Sequence, residues 1–525
     1  MNTPIPRLSV AAIRNRVLDE RDCESRLRAG LTALLAYPAL TTTAVSLLIY
    51  WLTLAPDLTQ AHLSGDGGEL ITASMTLGVP HPTGYPTYIL LGKLFSYLPI
   101  GTIAYRFNLF SAVTTTVSAG LLAATITQQN KNRSRIPAIV APLVFAFTPL
   151  VWSQATITEV YGLNLLMASL FVWAIFSDRP LWLAAFLFGL AITTHATSAL
   201  MAPLFFIRFL PRRGQTSAPD PQQKSSPRWA FVLGAFLLGL SPLLAIPWLA
   251  QTSSPVVWGN PTTVDGWWWL VSGTIYRPNM LALPLAALVE RLVAWGTVAL
   301  VWGGTVLVVW GVNILYCRSR DSQSRHHPDA GAASWNDIAN RGYRSYHNSI
   351  LLLTAVLITL YALTYNTPDA HVLLLPALLL LALPLADVLR NWGVAALLLP
   401  LALLLLNFQQ QNLRQAPTMR PVATALLQAA PENAILLTPG DTTIFTLWYF
   451  HHVEEQRPDL LLVDANLFAF DWYRARLQQQ VPSLVAVTHD NLAAFEQENK
   501  RPFCHTHLWN SASQSFLTCS EEPTP

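Results

Sequence analysis

Four short segments of the 525-residue chain hold side chains able to move a proton or hold an anion. The first is Ser64-Gly65-Asp66-Gly67-Gly68-Glu69. Two carboxylates three residues apart, set among glycines that allow a sharp turn or a close approach, offer a general base. If a helix begins here, Asp66 falls near its N-cap and Glu69 about one turn on. The same spacing describes a capping box, so both acids carry a structural reading beside the catalytic one. The second segment is Gly78-Val79-Pro80-His81-Pro82-Thr83-Gly84-Tyr85-Pro86, a stretch whose prolines and glycines impose rigid, irregular backbone. It presents His81 and Tyr85, and His81 either orients a reacting group or closes a hydrogen bond within the turn. The third, Thr158 to Asn164, contains Tyr161 and Glu159, the sole acid between Glu69 and Asp178. Glu159 near membrane depth is a functional candidate or the cap of the following helix. The fourth runs from Val257-Trp258-Gly259-Asn260-Pro261 through Trp267-Trp268-Trp269 to Tyr276-Arg277. Its tryptophans suit a membrane interface. The Arg277 guanidinium suits phosphate, as do the cations of Lys93 and Arg106, with a headgroup contact as the alternative for each.

The elements that position these residues are membrane helices. Only 12% of the residues are charged and 52% are hydrophobic, where a soluble chain carries about 25% charge. Leu31 to Leu54 and Leu109 to Asn130 contain no charged residue, and about 20 apolar residues cross a hydrocarbon core about 30 Å thick. The net charge of +3, without a basic patch interleaved with aromatics, excludes a nucleic-acid partner. The first apolar run is too long for a cleaved signal peptide and reads as a retained signal anchor.

Lys/Arg content assigns the sides. Residues 1–30, with six arginines, and the basic loops Lys131 to Arg135, Arg208 to Arg228 and Arg318 to Arg344 belong on the cytoplasmic side. This parity predicts about eleven spans: 31–54, 106–128, 137–153, 159–177, 180–194, 196–211, 229–249, 293–316, 347–365, 370–388 and 391–407. Outer loops cover 55–105 and 250–292, each with an interfacial helix (85–98 and 281–292). A flexible cytoplasmic loop covers 318–346, and His195 sits at an outer hairpin tip. The expected domains are a cytoplasmic segment 1–30, a transmembrane unit 31–407 and an extracytoplasmic unit 408–525 with a disordered end. In the last, strands at Ala434–Thr438 and Leu460–Asp464 alternate with helices at Thr442–Glu455 and Phe470–Gln480, which predicts a small parallel α/β fold. Gly440-Asp441-Thr442 after the first strand reads as a ligand site at a helix N-terminus or as a capped turn. Cys23 and Cys317 are expected as thiols. Cys504 and Cys519 form a disulfide if the tail faces an oxidising compartment, or remain two thiols.

The stretch SGDGGELITASMTLGVPHPTGYPTYILLGKLFSYLP resembles the opening signature of bacterial relatives of the eukaryotic transmembrane protein O-mannosyltransferases, at Asp66, Gly68, Glu69, Leu70, Leu77, Gly78, His81, Pro82, Gly84, Tyr85 and Pro86. The similarity continues through Gly92-Lys93, Arg106-Phe107-Asn108, Glu159-Val160-Tyr161, Trp258-Gly259-Asn260-Pro261 and the tail segment LLTPGDTTIFTLWYFHHVEEQRPDLLLVD. The resemblance implies a GT-C fold. It also implies an inverting multi-pass glycosyltransferase of the plasma membrane, moving a sugar from a polyprenyl-phosphate carrier to a protein or glycan hydroxyl at the extracytoplasmic face. An acid of the first outer loop then lies at the active site: Asp66, with Glu69 its close second. His81, Tyr85, Lys93, Arg106, Glu159, Tyr161, His195, Tyr276 and Arg277 are the expected substrate-binding set. A divalent metal on Asp66 and Glu69 stays open, as does the choice between the two acids. The tail lacks a nucleotide-sugar Asp-x-Asp motif, which favours a lipid-linked donor. A transporter or flippase of a lipid-linked or polar substrate, or a scaffold acting through its tail, are the competing classes. Removing residues 408–525 would abolish a scaffold's function but leave a transferase its Asp66 site.

Overall fold

The computed structural model describes residues 36–129, 134–209, 229–296, 335–507 and 516–520, with only the backbone of 335–345. The N-terminal segment, Cys23, Cys317, most of the expected span 293–316 and most of the basic loops lie outside the described residues. The chain is helical as far as residue 411: α1 (Pro38–Thr53), α2 (Gly67–Thr76), α3 (Pro86–Phe95), α4 (Ile103–Gln129), α5 (Ile136–Phe147), α6 (Pro149–Ala155), α7 (Tyr161–Phe176), α8 (Leu181–Thr194), a 3-10 stretch (Ala196–Phe209), α9 (Trp229–Leu240), α10 (Ile246–Leu249), α11 (Val264–Val271), α12 (Leu285–Ala294), α13 (Trp335–Thr364), α14 (Leu375–Leu389) and α15 (Leu398–Gln411).

Among the described residues, four helical stretches are long and apolar enough to cross a membrane: Ile103–Gln129, Trp229–Leu249, Tyr346–Thr364 and Ala370–Gln411. Taking the pair α5 and α6 as one span adds a fifth; the pair bends by 70° at Thr148, where Pro149 opens the second helix. The 42-residue stretch contains the two expected spans 370–388 and 391–407, joined where Gly393 adopts φ 54°, ψ −136°. α1, α7 and α8 are 14 to 16 residues long, about 21–24 Å at 1.5 Å per residue, and the 14-residue 3-10 stretch Ala196–Phe209 reaches about 28 Å at its steeper rise of about 2.0 Å. These four have fewer than 18 residues, so among the described residues helix length alone does not establish the expected count of eleven. The expected flexible loop to residue 346 is also corrected: from Trp335 the chain is already helical and runs unbroken into the next span.

The spans share one apolar core built from α1, α4 to α8, α13 and α14. Its polar groups close on one another, as burial away from water demands. The Tyr50 hydroxyl donates to the Ala146 carbonyl at 2.7 Å, and Trp152 Nε1 donates to Thr53 Oγ1 at 2.9 Å.

After Gln411 the chain builds an α/β unit: α16 (Arg420–Ala429), β1 (Ile435–Thr438), α17 (Asp441–Trp448, continued by a wider turn Tyr449–Val453), β2 (Leu461–Asp464), α18 (Asp471–Gln480), α19 (Leu492–Glu498), β3 (Phe503–Thr506) and β4 (Leu517–Cys519). The sheet order is β2-β1-β3-β4. The strands β2 and β3 are parallel to β1, and β4 pairs antiparallel with β3. β1 and β2 are buried throughout, the continuous apolar pattern of a covered parallel strand. Cys504 and Cys519 stand opposite each other across β3 and β4 and are joined by a disulfide.

A second apolar core belongs to no single part of the chain. It joins Leu70, Ile71, Tyr88 and Phe107 of the first loop and its helices to Ile444, Phe445, Trp448 and Tyr449 of α17 and its extension. At its edge Arg420 donates Nε to Asp57 Oδ2 at 2.6 Å and also pairs with Glu454.

Candidate active site

Asp66 is the residue before α2, yet its side chain accepts no cap hydrogen bond. Glu69, in the first turn, does not reach back to Asp66 either; its side chain is fully buried and occupied elsewhere. The capping-box reading is therefore wrong for both acids. Three donors converge on the Glu69 carboxyl. His81 gives its backbone N–H to Oε1 at 3.1 Å, Trp258 gives Nε1 to the same oxygen at 2.5 Å, and His81 Nδ1 meets Oε2 at 2.5 Å. Trp258 arrives there through a parallel backbone bridge: Val79 donates to the Val256 carbonyl and Trp258 donates back to that of Val79. The Pro/Gly segment and the Trp-rich loop thus meet over α2.

The far nitrogen of His81 faces outward. Nε2 lies 3.6 Å from Asp66 Oδ2 and 3.2 Å from the Tyr85 hydroxyl. These groups open onto a cavity of about 330 Å³. One wall comes from helices and the breaks at their ends: Tyr161, His195, Tyr361, Tyr365 and Asp369. The other comes from the Trp-rich loop 250–292 and the C-terminal unit: Trp258, Ser272, Tyr276, Asp441 and Phe445. Asp66 lines it with 39% of its side chain accessible, whereas Glu69 is sealed behind His81.

The electrostatics follow from burial. Burial alone would push the His81 imidazole down, but Glu69 and then Asp66 overcome it and hold its pKa up at about 10. Burial pushes the Asp66 carboxyl above its usual range, His81 pulls it back, and Asp369 adds to the rise. Burial pushes Glu69 up as well and Asp66 adds to the rise, while the charge of His81 and its side-chain and backbone hydrogen bonds pull it back. Glu159 is raised well above its usual range by burial and then by Asp66. Burial and the charge of His81 hold His195 down at about 4.

Two family models match the chain, one described as the Protein O-mannosyl-transferase TMEM260 N-terminal domain over residues 66–218 and the other as TMEM260-associated domain 2 over residues 419–500. A mouse protein named Protein O-mannosyl-transferase TMEM260 is 27% identical over 466 residues, 80% of this chain and 62% of that protein. The chain is similar to the TMEM260 proteins over both of these segments. A Dictyostelium discoideum protein of the same name is 27% identical over 246 residues, 42% of this chain and 28% of its own length. The chain therefore spans less than two thirds of the length of these relatives. A crystal structure of ArnT from Cupriavidus metallidurans bound to undecaprenyl phosphate superposes with a TM-score of 0.48 at 12% identity, covering 84% of this chain and 90% of that one.

The two segments that match the TMEM260 models, separated by residues 219–418, meet at the cavity. The first begins at Asp66 itself, and the second contains Asp441 and Phe445. Their contact is the reason for a glycine in the motif: a Cβ on Gly68 would lie 2.1 Å from the Phe445 carbonyl oxygen.

The remaining expected residues divide in two. Tyr85, Tyr161, His195 and Tyr276 line the cavity with His81 and Asp66. Glu159 is buried just behind Val160 and Tyr161; the helix begins after Val160, so Glu159 does not cap it. Lys93 and Arg106 are structural. Lys93 Nζ donates to the Met75 carbonyl at 2.7 Å, and Arg106 donates to the carbonyls of Ser96, Ile100 and Gly101. Neither lines the cavity. Arg277 is exposed at the rim, its guanidinium donating to Ser272 Oγ at 3.1 Å. Both Glu69 oxygens face N–H donors, so a cation bound between Asp66 and Glu69 does not fit this arrangement. Among the described residues no group of three or more His, Cys, Asp or Glu is arranged to hold a metal.

Asp369 was missed in the sequence, although an acid in the short break between two long apolar runs was a signal. For Asp441 the sequence leaves a ligand site and a capped turn as alternatives. The structure gives its side chain no cap bond and puts it in the cavity wall. With Asp441 and Phe445 in that wall, removing residues 408–525 opens the site instead of leaving it intact.

Glu69→Gln tests the relay. The amide cannot replace a charge beside His81, so the imidazole pKa falls and His81 stops lowering that of Asp66. The acid limb of kcat/KM then moves to higher pH, and kcat drops about 100-fold as the ring loses its orientation. A pH–rate profile with an unmoved limb would refute this.

Proposed function

We propose that the protein is a membrane glycosyltransferase that moves a sugar from a polyprenyl-phosphate carrier to a hydroxyl of a protein acceptor at the extracytoplasmic face. Mannose, the sugar in the relatives' names, is the first donor to test. Similarity to proteins named O-mannosyl-transferase supports the reaction class, and the resemblance of the first-loop motif supports the lipid-linked donor. The observation that carries the residue assignment is the contrast between the two motif acids: Asp66 reaches the cavity, while Glu69 is sealed and saturated with donors.

Asp66 acts as the general base. It takes the acceptor hydroxyl proton as that oxygen attacks the anomeric carbon, and the carbon–oxygen bond to the lipid phosphate breaks. A carboxyl whose pKa is raised is a stronger base, provided it is ionised, and the His81 imidazolium beside it favours that form. Glu69 positions His81 and Trp258. Arg277 at the rim is the cation available to the departing phosphate. The disulfide in the C-terminal unit supports its placement on an oxidising side of the membrane, in agreement with the charge parity of the loops. The domain division near residue 407 stays part of this reading; the last apolar helix runs on to Gln411 before the α/β unit follows.

The test is to supply the purified protein in lipid nanodiscs with polyprenyl-phosphate mannose and a Ser/Thr peptide, and to read the anomeric configuration of the product by NMR. A single displacement yields the inverted configuration. A retained configuration, or equal use of a nucleotide-linked sugar, would overturn the reading.

A further inference from the structure

The carboxylate of Asp441 has no work in the fold. It opens α17 after Gly440, yet among the described residues it makes no hydrogen bond and no ion pair. It is exposed to the cavity, on the wall opposite the spans, and stands beside Phe445, whose ring stacks at 6.4 Å on that of His81. One wall comes from the helices and the short break at Asp369, and on the transferase reading it serves the lipid-borne donor. The wall where Asp441 sits, built with the C-terminal unit, is then the one a polar acceptor meets. Its surroundings define what it prefers. Asp66 and Asp369 share the cavity, and among the described lining residues His81 is the sole cation. An anionic acceptor would be repelled there. A cationic one would gain a partly desolvated carboxylate whose charge bears on His81 but which holds no hydrogen bond or ion pair among the described residues.

Resting on the transferase reading, we infer that Asp441 is the acceptor-recognition residue of this cavity and that it selects polypeptide acceptors carrying a positive charge beside the hydroxyl residue. The C-terminal unit then does more than cover the site: it sets which acceptors enter it.

The experiment uses the full-length protein in nanodiscs and three fluorescent peptides, identical except for Lys, Gln or Glu next to one threonine. Binding is read by anisotropy, which needs no turnover, and transfer is read separately. The wild type is expected to bind the Lys peptide at least about tenfold more tightly than the Glu peptide. Asp441→Asn, which keeps size and shape, should shrink that ratio to about threefold or less while leaving the Gln peptide's affinity within about threefold. Asp441→Glu should restore the ratio. A carboxylate that only favours the positive end of α17 would change the melting temperature but not the ratio between peptides. Equal binding of the three peptides by the wild type, or a ratio unchanged in Asp441→Asn, overturns the inference. Absence of transfer by a wild type that still discriminates between peptides would instead sink the transferase reading, so the two failures are distinguishable.

Discussion

Replacing Asp66 with Asn lowers sugar transfer by about 10²- to 10⁴-fold, the usual worth of a positioned proton acceptor, while donor affinity stays within about threefold. The amide keeps the shape of the carboxylate and its place at the cavity. It cannot take a proton, so only the chemical step suffers. The loss should therefore fall on kcat and on kcat/KM alike, as for an interaction made in the transition state. His81 and Glu69 keep their own contact, because the 2.5 Å bond between them does not pass through Asp66. Rates of the variant and the wild type in the same nanodiscs, with matched melting curves, give the answer. Full activity in a folded Asp66→Asn protein would remove Asp66 from the role of base.

The second large effect comes from a residue with no side chain. Gly68→Ala places a methyl 2.1 Å from the Phe445 carbonyl oxygen and 2.6 Å from its carbon. Both are backbone atoms, so no side chain can rotate out of the way, and α2 and α17 must separate. Overpacking of this kind costs about 3 kcal/mol at the upper end of its usual range. Activity should fall further than stability, because Asp441 and Phe445 move with α17 away from Asp66. Gly65→Ala is the control: its added methyl would meet only Thr442 Oγ1, at 4.0 Å. Thermal unfolding and transfer rate measured on both variants decide the matter. A Gly68→Ala protein as stable as Gly65→Ala would refute the tight contact.

The first-loop motif was legible because its chemistry is local. Asp66, His81 and Tyr85 fall within twenty residues, and the prolines between them announce a rigid shape. The alternating tail was legible for a similar reason: β1 and β2 are short apolar runs with helices between them, and they pair as parallel strands. What could not be read is who neutralises whom. Lys93 and Arg106 look like phosphate ligands in a chain poor in charge, yet backbone carbonyls left open at helix ends and turns take them. The division of labour between Asp66 and Glu69 depended on Trp258, which is 189 residues from Glu69 in the chain. Charge parity placed 366–369 outside but gave no reason to single out Asp369 until tyrosines from distant helices gathered around it. The bend at Thr148 and the 3-10 winding of Ala196–Phe209 were invisible for a different reason. Apolar composition measures length and burial, not how regularly the helix is wound.

The clasp formed by Arg420 bears on how molecules come and go. One guanidinium holds Asp57 of the first loop and Glu454 of the C-terminal unit together, beside an apolar core that both parts share. Lifting the unit like a lid would strand Asp57 and wet Phe445, Trp448 and Tyr449 in one motion. Traffic must instead pass sideways, beneath a fixed roof. The segment from Ser272 to Met280 forms part of the wall, and its residues Arg277, Pro278 and Met280 are already exposed. It is the natural doorway, with Arg277 as its post.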